Sequence, residues 1–250
     1  MSTFKDHFST GSKGYAAHRP GYPRAVAEAL AERAPGRRCA WDAGCGSGQL
    51  STVLGEVFQR VEATDASAAQ IAAAVPHPHV HYAVSPAEHV DLPDASVDCA
   101  VAAQAAHWFD LEAYYREVRR VLRPRGVVAL VTYALMVISP EIDRIVYRFY
   151  RGPLEGYWPP ERKLVEEGYR SVPFPFAEVK PPELLLEQRW DLGQVVGYIG
   201  TWSAVQALKR AGKGSEVEAM VAELEQVWGD AAIVREVRWP LTLRMGRVEA

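Results

Sequence analysis

The stretch Trp41-Asp42-Ala43-Gly44-Cys45-Gly46-Ser47-Gly48-Gln49-Leu50 decides the fold class. It joins a short apolar strand, residues 38–41, to a predicted amphipathic helix. Glycine is needed where the backbone turns at positive φ, or where a ligand lies against the main chain. Three alternating glycines between a strand and a helix therefore predict a ligand cradle at the carboxyl edge of an α/β sheet. The apolar helix residues recur at helical spacing: Leu50, Val53, Leu54, Val57 and Phe58.

The glycine spacing indicates which ligand to expect. A dinucleotide-binding loop reads G-x-G-x-x-G and a phosphate loop ends in G-K-[ST], whereas this loop reads G-x-G-x-G. Asp42 stands two residues before the first glycine, where an acid would repel a pyrophosphate but suit a cationic ligand. Asp65 ends the next predicted strand, at about the separation at which an acid accepts the hydroxyls of a ribose. A cation, a ribose and no phosphate describe S-adenosylmethionine.

These residues resemble the first and second motifs of class I S-adenosylmethionine-dependent methyltransferases. The resemblance implies that an N-terminal segment, residues 1–22, closes over the cofactor, with Arg19 pairing with its carboxylate and Tyr15 covering it. An arginine fork suits a carboxylate well, although a surface arginine beside a turn is an equal alternative. The resemblance assigns cofactor contacts to Tyr15, Arg19, Asp42, Gly44, Cys45, Gly46, Gly48, Asp65, Ala66, Ala87, Glu88, Gln104 and Ala105.

Composition excludes several other classes of protein. The chain has 250 residues, 48% of them hydrophobic, and a net charge of −3, which gives no reason to expect a nucleic-acid partner. Three cysteines without C-x-x-C spacing predict neither a disulfide framework nor a zinc site. The first residues lack the apolar core of a signal peptide, and the longest apolar-rich run, Val127 to Ile138, is shorter than the roughly 20 residues that span a bilayer. We therefore expect a cytoplasmic protein without membrane contact; its oligomeric state stays open.

The order of predicted elements indicates one domain over residues 1–250. Strands and helices alternate up to Tyr133, and residues 237–245 form a half-buried strand near the end. The expected fold is a Rossmann-like twisted α/β sheet of about seven strands, mostly parallel, with an antiparallel C-terminal strand. Two helical segments, residues 134–176 and 191–230, are expected to cap the active site. Within the second, Ser215 and Glu218 have the spacing of a capping box.

The reaction crevice is expected where the fourth strand ends, at Gln104-Ala-Ala-His-Trp-Phe. This places His107 and Trp108 near the transferable methyl group. The N/D-P-P-Y motif of nucleobase amino-methyltransferases is absent. His79 and His81 alternate on another strand, but no third metal ligand is near them in sequence, so no metal is expected.

Several further motifs resemble the trans-aconitate methyltransferase-like group of small-molecule enzymes. They include Arg19-Pro-Gly-Tyr-Pro, Tyr157-Trp-Pro-Pro-Glu-Arg and Thr201-Trp-Ser. The resemblance implies methyl transfer to a small organic molecule, with a carboxylate oxygen preferred and a quinone- or sterol-like carbon as the main alternative. A non-enzymatic S-adenosylmethionine-binding module and a nicotinamide-dependent oxidoreductase are the rival classes, and the glycine spacing argues against the second. The expected substrate contacts are His107, Trp108, Tyr133, Trp158, Tyr169 and Trp202.

His107 has two possible roles at this stage. A hydroxyl acceptor would require a general base, whereas a carboxylate is already ionised at neutral pH. The resemblance favours a carboxylate, and hence a positioning role for His107.

Overall fold

The computed structural model describes residues 20–249. Within that range the chain forms eight strands and nine α-helices. The strands are β1 (Ala40–Ala43), β2 (Val61–Asp65), β3 (Val80–Val84), β4 (Val97–Ala103), β5 (Leu122–Tyr133), β6 (Ala177–Val179), β7 (Leu184–Trp190) and β8 (Arg235–Arg247). The helices are α1 (Arg24–Arg33), α2 (Gln49–Gly55), α3 (Ala68–Ala72), α4 (Leu111–Val121), α5 (Pro140–Arg151), α6 (Arg162–Glu166), α7 (Leu192–Gly200), α8 (Ser203–Arg210) and α9 (Gly214–Trp228).

The strands form one sheet in the order β3-β2-β1-β4-β5-β8-β6, and β7 also pairs with β8. Strands β1 to β5 are parallel to one another, while β8 runs antiparallel to β5. The prediction of a mostly parallel sheet with an antiparallel C-terminal strand is confirmed. The sheet has eight strands rather than about seven, because the short β6 pairs with the last residues of β8 while β7 pairs with its first residues.

Helices cover both faces of the parallel part of the sheet. Strands β1 and β4 are buried along nearly their whole length, as expected for strands with two covered faces. One apolar cluster joins the sheet to α1 and α2 through Leu30 and Leu54, and the other joins it to α4 through Tyr114 and Val118. The carboxyl ends of the strands are left uncovered by these two layers, so a ligand site can form there.

The later helices pack beside the sheet and on one another. Helix α5 contacts α9, and α8 contacts the 3-10 turn Glu155–Tyr157. Helix α7 begins with a complete capping box between Asp191 and Gln194. The capping box predicted at Ser215 is wrong: α9 begins at Gly214, so Ser215 lies inside the helix and its side chain is not in the N-cap position.

No helix among the described residues is long and apolar enough to cross a bilayer.

Candidate active site

A cavity of about 600 Å³ opens at the carboxyl ends of β1, β2 and β4. Its floor is the glycine loop after β1, and Asp65 and Ala66 follow β2 on one side. The turn after β4 supplies Gln104 to Phe109 on the other side. These segments meet because parallel strands end at the same edge of the sheet.

Two of the loop glycines are required by close packing beneath the cavity. Gly44 has φ +68°, and a Cβ there would lie 2.7 Å from Cβ of Ala105. Gly48 has φ +89°, and its Cβ would overlap the Tyr82 hydroxyl. L side chains rarely adopt such φ values. Both positions therefore need glycine because of the backbone conformation and because of the close contact. Gly46 differs, because at φ +56° its Cβ would meet atoms of residues 20–249 only at 3.9 Å and would project toward the cavity.

Asp42 is a buried carboxylate on the cavity floor. It is 1% exposed; Oδ2 accepts a hydrogen bond from the Ser51 hydroxyl at 2.6 Å, while Oδ1 has no partner among the described residues. Burial raises the pKa of Asp42 to about 7, partly offset by the Ser51 hydrogen bond. A buried, unpaired carboxylate oxygen costs free energy, and a cationic ligand group beside it would recover that cost.

Asp65 braces the glycine loop from the end of β2. Its Oδ2 accepts from the backbone N–H of Gly46, and its Oδ1 accepts from that of Ser67, both at 2.8 Å. A carboxylate has about four lone-pair sites and can accept several hydrogen bonds at once, as contact with the two hydroxyls of a diol requires. The hydrogen bonds also fix the direction of the carboxylate, which faces the cavity.

A second pair of acids lies on the cavity wall, Glu88 after β3 and Asp110 after β4. Glu88 Oε1 accepts from the backbone N–H of Asp110 at 2.9 Å, and the Asp110 side chain caps the start of α4. Ala87, which is 5% exposed, lies beside them. This hydrogen bond links the loop after β3 to the turn after β4, and it holds Glu88 at the cavity beside Ala87.

Gln104 turns the chain at the end of β4 in a left-handed conformation, φ +54°. Its backbone N–H donates to the Val131 carbonyl at 2.8 Å, and its side-chain amide donates to the Tyr133 carbonyl at 3.2 Å. Non-glycine residues at positive φ are uncommon and cluster at functional sites. The strained turn directs the following residues toward the cavity.

His107 lies on the cavity wall in the 3-10 turn Ala106–Trp108. Its Nδ1 is 2.9 Å from the hydroxyl of Tyr169, and its ring packs against Trp108 at 4.7 Å between centroids. Burial, with a smaller contribution from the charge of Arg162, lowers the pKa of His107 to about 3. The ring is therefore neutral at physiological pH.

Comparisons with known proteins decide the family. The family model described as methyltransferase domain matches residues 41–130. A Dictyostelium discoideum protein, provisionally named a methyltransferase, is 31% identical to this chain over 254 residues. The match covers 98% of this chain and 96% of that protein. The chain belongs to the class I S-adenosylmethionine-dependent methyltransferases.

Two further matches differ from that one in sequence identity and in the share of the chain they cover. The structure of a protein provisionally described as a type II methyltransferase, from Anaeromyxobacter dehalogenans, superposes with a TM-score of 0.88 at 50% identity. It covers 92% of the methyltransferase and 98% of its own chain. A malonyl-[acyl-carrier protein] O-methyltransferase of Serratia marcescens is 37% identical over 95 residues, which is 37% of each chain. The family excludes the nicotinamide-dependent oxidoreductase and the non-enzymatic module as rival classes.

The residues of the methyltransferase cavity fit S-adenosylmethionine. The unpaired Asp42 oxygen suits a cation, the space over Gly46 admits a ligand against the backbone, and Asp65 has acceptors for a ribose. Among residues 20–249, no cluster of three His, Cys, Asp or Glu side chains is arranged to hold a metal ion.

Most of the predicted site residues lie on the cavity wall of the methyltransferase. Tyr15 and Arg19 lie outside the described residues. The structure brings together Asp42, Gly44, Cys45, Gly46, Asp65, Ala66, Ala87, Glu88, Gln104, Ala105, His107, Trp108 and Tyr133.

Four predicted residues are not among those that line the cavity. Gly48 lies beneath the loop against Tyr82, and Tyr169 is fully buried behind His107. Trp158 and Trp202 pack on each other with ring centroids 5.9 Å apart, and both pack on Tyr150. Trp202 is buried and Trp158 partly buried in this aromatic cluster, and neither is among the residues that line the cavity.

Sequence reasoning missed several residues on the wall. Gln49 and Gln70 face the space above Gly46, and Phe109 packs against Gly44. Gln49 and Phe109 lie within the two quoted motifs that begin at Trp41 and Gln104, which is a signal that could have found them. Glu161 reaches the cavity from the start of α6, and its carboxylate makes no hydrogen bond or ion pair within residues 20–249. Glu161 belongs to the Tyr157-Trp-Pro-Pro-Glu-Arg motif, but nothing in that motif indicates which of its residues reaches the cavity.

Proposed function

We propose that this methyltransferase methylates an oxygen of a small organic acid, with a carboxylate as the acceptor. The observation that carries the proposal is His107, which lines the cavity beside Trp108 and whose pKa burial lowers to about 3; we take the wall that carries it as the acceptor side. An imidazole with a pKa of about 3 is a weak base, so it supports an acceptor that is nucleophilic without losing a proton. Carboxylic acids, with pKa values near 4, are ionised at pH 7.

The chain's own residues supply positioning rather than covalent chemistry. S-adenosylmethionine supplies an electrophilic methyl group when bound. Asp42 and the glycine loop hold the cationic and backbone-facing parts of that ligand, and Asp65 accepts from its ribose. His107 and Trp108 orient the acceptor so that its oxygen meets the methyl group in line, and such alignment carries most of the rate effect. We further propose that the helical segments 134–176 and 191–230 cap the cavity and exclude water. Glu161 supports this for the first segment, whereas no residue of 191–230 is among the residues that line the cavity.

A second candidate acceptor is an aromatic or sterol-like carbon. Tyr22, Trp108 and Tyr133 give the cavity an aromatic wall, and the unpaired Glu161 carboxylate is available to take a proton. The similarity to a malonyl-[acyl-carrier protein] O-methyltransferase favours oxygen, although it covers only 37% of the chain.

The two candidates are separated by the chemistry of the product. The purified protein is incubated with methyl-labelled S-adenosylmethionine and separate pools of small organic acids and of quinols and sterols. Methyl esters release labelled methanol on mild alkaline hydrolysis, whereas carbon-bound methyl groups do not. We expect alkali-labile label from the acid pool. Alkali-stable label, or transfer only in the quinol and sterol pool, would overturn the carboxylate assignment.

The cofactor site is tested by Asp65→Ala, which should weaken S-adenosylmethionine binding sharply while the fold remains. Asp191→Ala is the matched control, because Asp191 also accepts a backbone N–H but lies at the start of α7, away from the cavity. Both variants lose hydrogen bonds to backbone amides, so both should lose some stability. An unchanged calorimetric dissociation constant for Asp65→Ala would contradict the assignment. An equal loss of S-adenosylmethionine affinity in both variants would also contradict it.

A further inference from the structure

The His107–Tyr169 pair joins the acceptor side of the cavity to the protein interior. His107 lines the cavity, while Tyr169 is 0% exposed and lies behind it. The Tyr169 hydroxyl is 2.9 Å from Nδ1 of His107, and the two rings are inclined by only 26°. Nδ1 is therefore engaged by the phenol, and Nε2 makes no hydrogen bond to a described residue.

The backbone at Tyr169 is held in an unusual conformation. Gly168 and Tyr169 have φ values of +60° and +58°, and the second is an outlier for a bulky side chain. The Tyr169 N–H donates to the Leu164 carbonyl, and its own carbonyl accepts from Nη1 of Arg244, both at 2.8 Å. Strained conformations persist where the surroundings over-determine them, and they cluster at functional sites. Here the strained residue is the one whose hydroxyl reaches a cavity histidine.

Comparing the two possible positions of the proton gives the direction of the hydrogen bond between Tyr169 and His107. If Nδ1–H donated to the phenol, the Tyr169 O–H would be left without an acceptor in a fully buried position. If the O–H donates to Nδ1, the phenol proton is satisfied and the ring proton lies on Nε2. Leaving a buried donor unpaired is costly, whereas under-satisfied oxygen acceptors are more common in proteins. The second arrangement is therefore preferred.

We propose that Tyr169 is a positioning residue that donates to Nδ1 and fixes His107 in its Nε2–H tautomer. The cavity then presents a neutral N–H donor to an oxygen of the acceptor. This inference rests on the proposed function, since it takes the His107 side of the cavity as the acceptor side. It assigns the acceptor class more narrowly: the group that contacts His107 is a hydrogen-bond acceptor, such as one oxygen of a carboxylate whose other oxygen is methylated.

The charges around the pair are consistent with this arrangement. Arg162 is held away from the imidazole, because its Nε donates to the Tyr150 hydroxyl at 2.7 Å and its guanidinium lies 5.0 Å over the Trp158 ring. Burial and the charge of Arg162 both favour a neutral imidazole. A neutral ring with its proton on Nε2 has no lone pair toward the cavity, so it cannot remove a proton from the acceptor.

The tautomer can be measured directly by nitrogen NMR. The full chain is labelled with ¹⁵N-histidine, and long-range ¹H–¹⁵N correlations are recorded at pH 7 without cofactor or substrate. The His107 signals are identified by their loss in His107→Gln. We expect wild-type His107 to be protonated at Nε2 alone and Tyr169→Phe to give a mixture of tautomers. Tyr115→Phe is the control, because it removes a buried hydroxyl that has no partner among the described residues, and it should leave the spectrum unchanged.

Two results would overturn the inference. A wild-type ring protonated at Nδ1, or doubly protonated, refutes the tautomer, and this measurement needs no variant to fold. A Tyr169→Phe protein that keeps the pure Nε2–H form shows that Tyr169 does not fix it. Because no turnover is needed, either failure is distinct from failure of the carboxylate assignment, which the alkali test of the product decides.

Discussion

The replacement Gly46→Ala should separate ligand binding from folding at the glycine loop. Gly46 has φ +56°, and among the described residues the atoms nearest to an added Cβ are the amide oxygens of Gln49 and Gln70, at 3.9 Å. Both glutamines line the cavity, so the new methyl group fits the protein but occupies ligand space. Gly44 does not offer this separation, because its Cβ would also clash with Ala105.

Two magnitudes follow for Gly46→Ala. An L residue in the left-handed region costs about 1–2 kcal/mol, which lowers the melting temperature of a domain of this size by about 2–8 °C. Forcing a methyl group into a filled site costs about 1–3 kcal/mol. At 1.4 kcal/mol per tenfold change, the ligand should bind roughly 5- to 150-fold more weakly.

Gly212→Ala is the matched control for the backbone cost. Gly212 has φ +77°, and no atom of the described part of the chain lies within 4 Å of an added Cβ. It lies between α8 and α9, away from the cavity lining. Thermal unfolding should show similar destabilisation of both variants, while calorimetry with S-adenosylmethionine should show weakened binding for Gly46→Ala alone. If Gly46→Ala binds normally, no ligand lies over that glycine. If Gly212→Ala weakens binding equally, the effect is one of stability.

The remaining predictions concern three titratable groups, Asp42, His107 and Asp98. Burial raises the pKa of Asp42 to about 7, so stability without ligand should fall as pH rises from about 4 to 7, because the native state alone keeps the proton. A cation beside Asp42 favours ionisation of its carboxyl group, so cofactor binding at pH 6 should release up to one proton. Calorimetry should show this release as a binding enthalpy that depends on the buffer, and Asp42→Asn should abolish the dependence. His107→Gln should slow turnover by far less than the roughly 10²–10⁴-fold contribution of a general base. The pH profiles of kcat/KM for the wild type and the variant should both lack a titration near pH 6.5. A larger loss of turnover, with a titration near pH 6.5 in the wild type alone, would show that His107 is a base. For Asp98, burial alone would raise the pKa, but hydrogen bonds from Arg123 and the Cys39 and Arg38 amides lower it. That stabilisation is lost as pH falls below about 4; Asp98→Asn should cost about 2–3 kcal/mol at pH 7 in denaturant melts, and an equal cost at pH 3 would argue against the charge.

The cradle was predictable because its determinants are local in sequence. A strand, an acid, alternating glycines and an amphipathic helix are adjacent along the chain, and Asp65 follows at the end of the next strand. Parallel strands then bring Asp42, Asp65 and Gln104 to one edge of the sheet without any knowledge of side-chain packing.

The acceptor side was less predictable because it depends on tertiary placement. Aromatic residues are equally suited to a core and to a cavity wall, so Trp158 and Trp202 were assigned to the substrate although they pack in a cluster of their own. Glu161 is the reverse case: a charged residue at the start of a short helix resembles any surface residue until α6 is placed over the crevice. Strand β6 was missed because three residues with little burial carry no periodic pattern.

The position of β8 has a consequence for synthesis of the chain. Residues 235–247 lie between β5 on one side and β6 and β7 on the other. These three earlier strands therefore cannot form their hydrogen bonds to β8 until β8, the last strand of the described chain, has been synthesised. Until it emerges from the ribosome, β5 presents an open edge carrying the fully buried residues Val127 to Val131, which is a template for association with other chains. Premature termination before Arg235 should therefore yield an aggregating product rather than a smaller enzyme, and nascent chains of that length are expected to depend on chaperones.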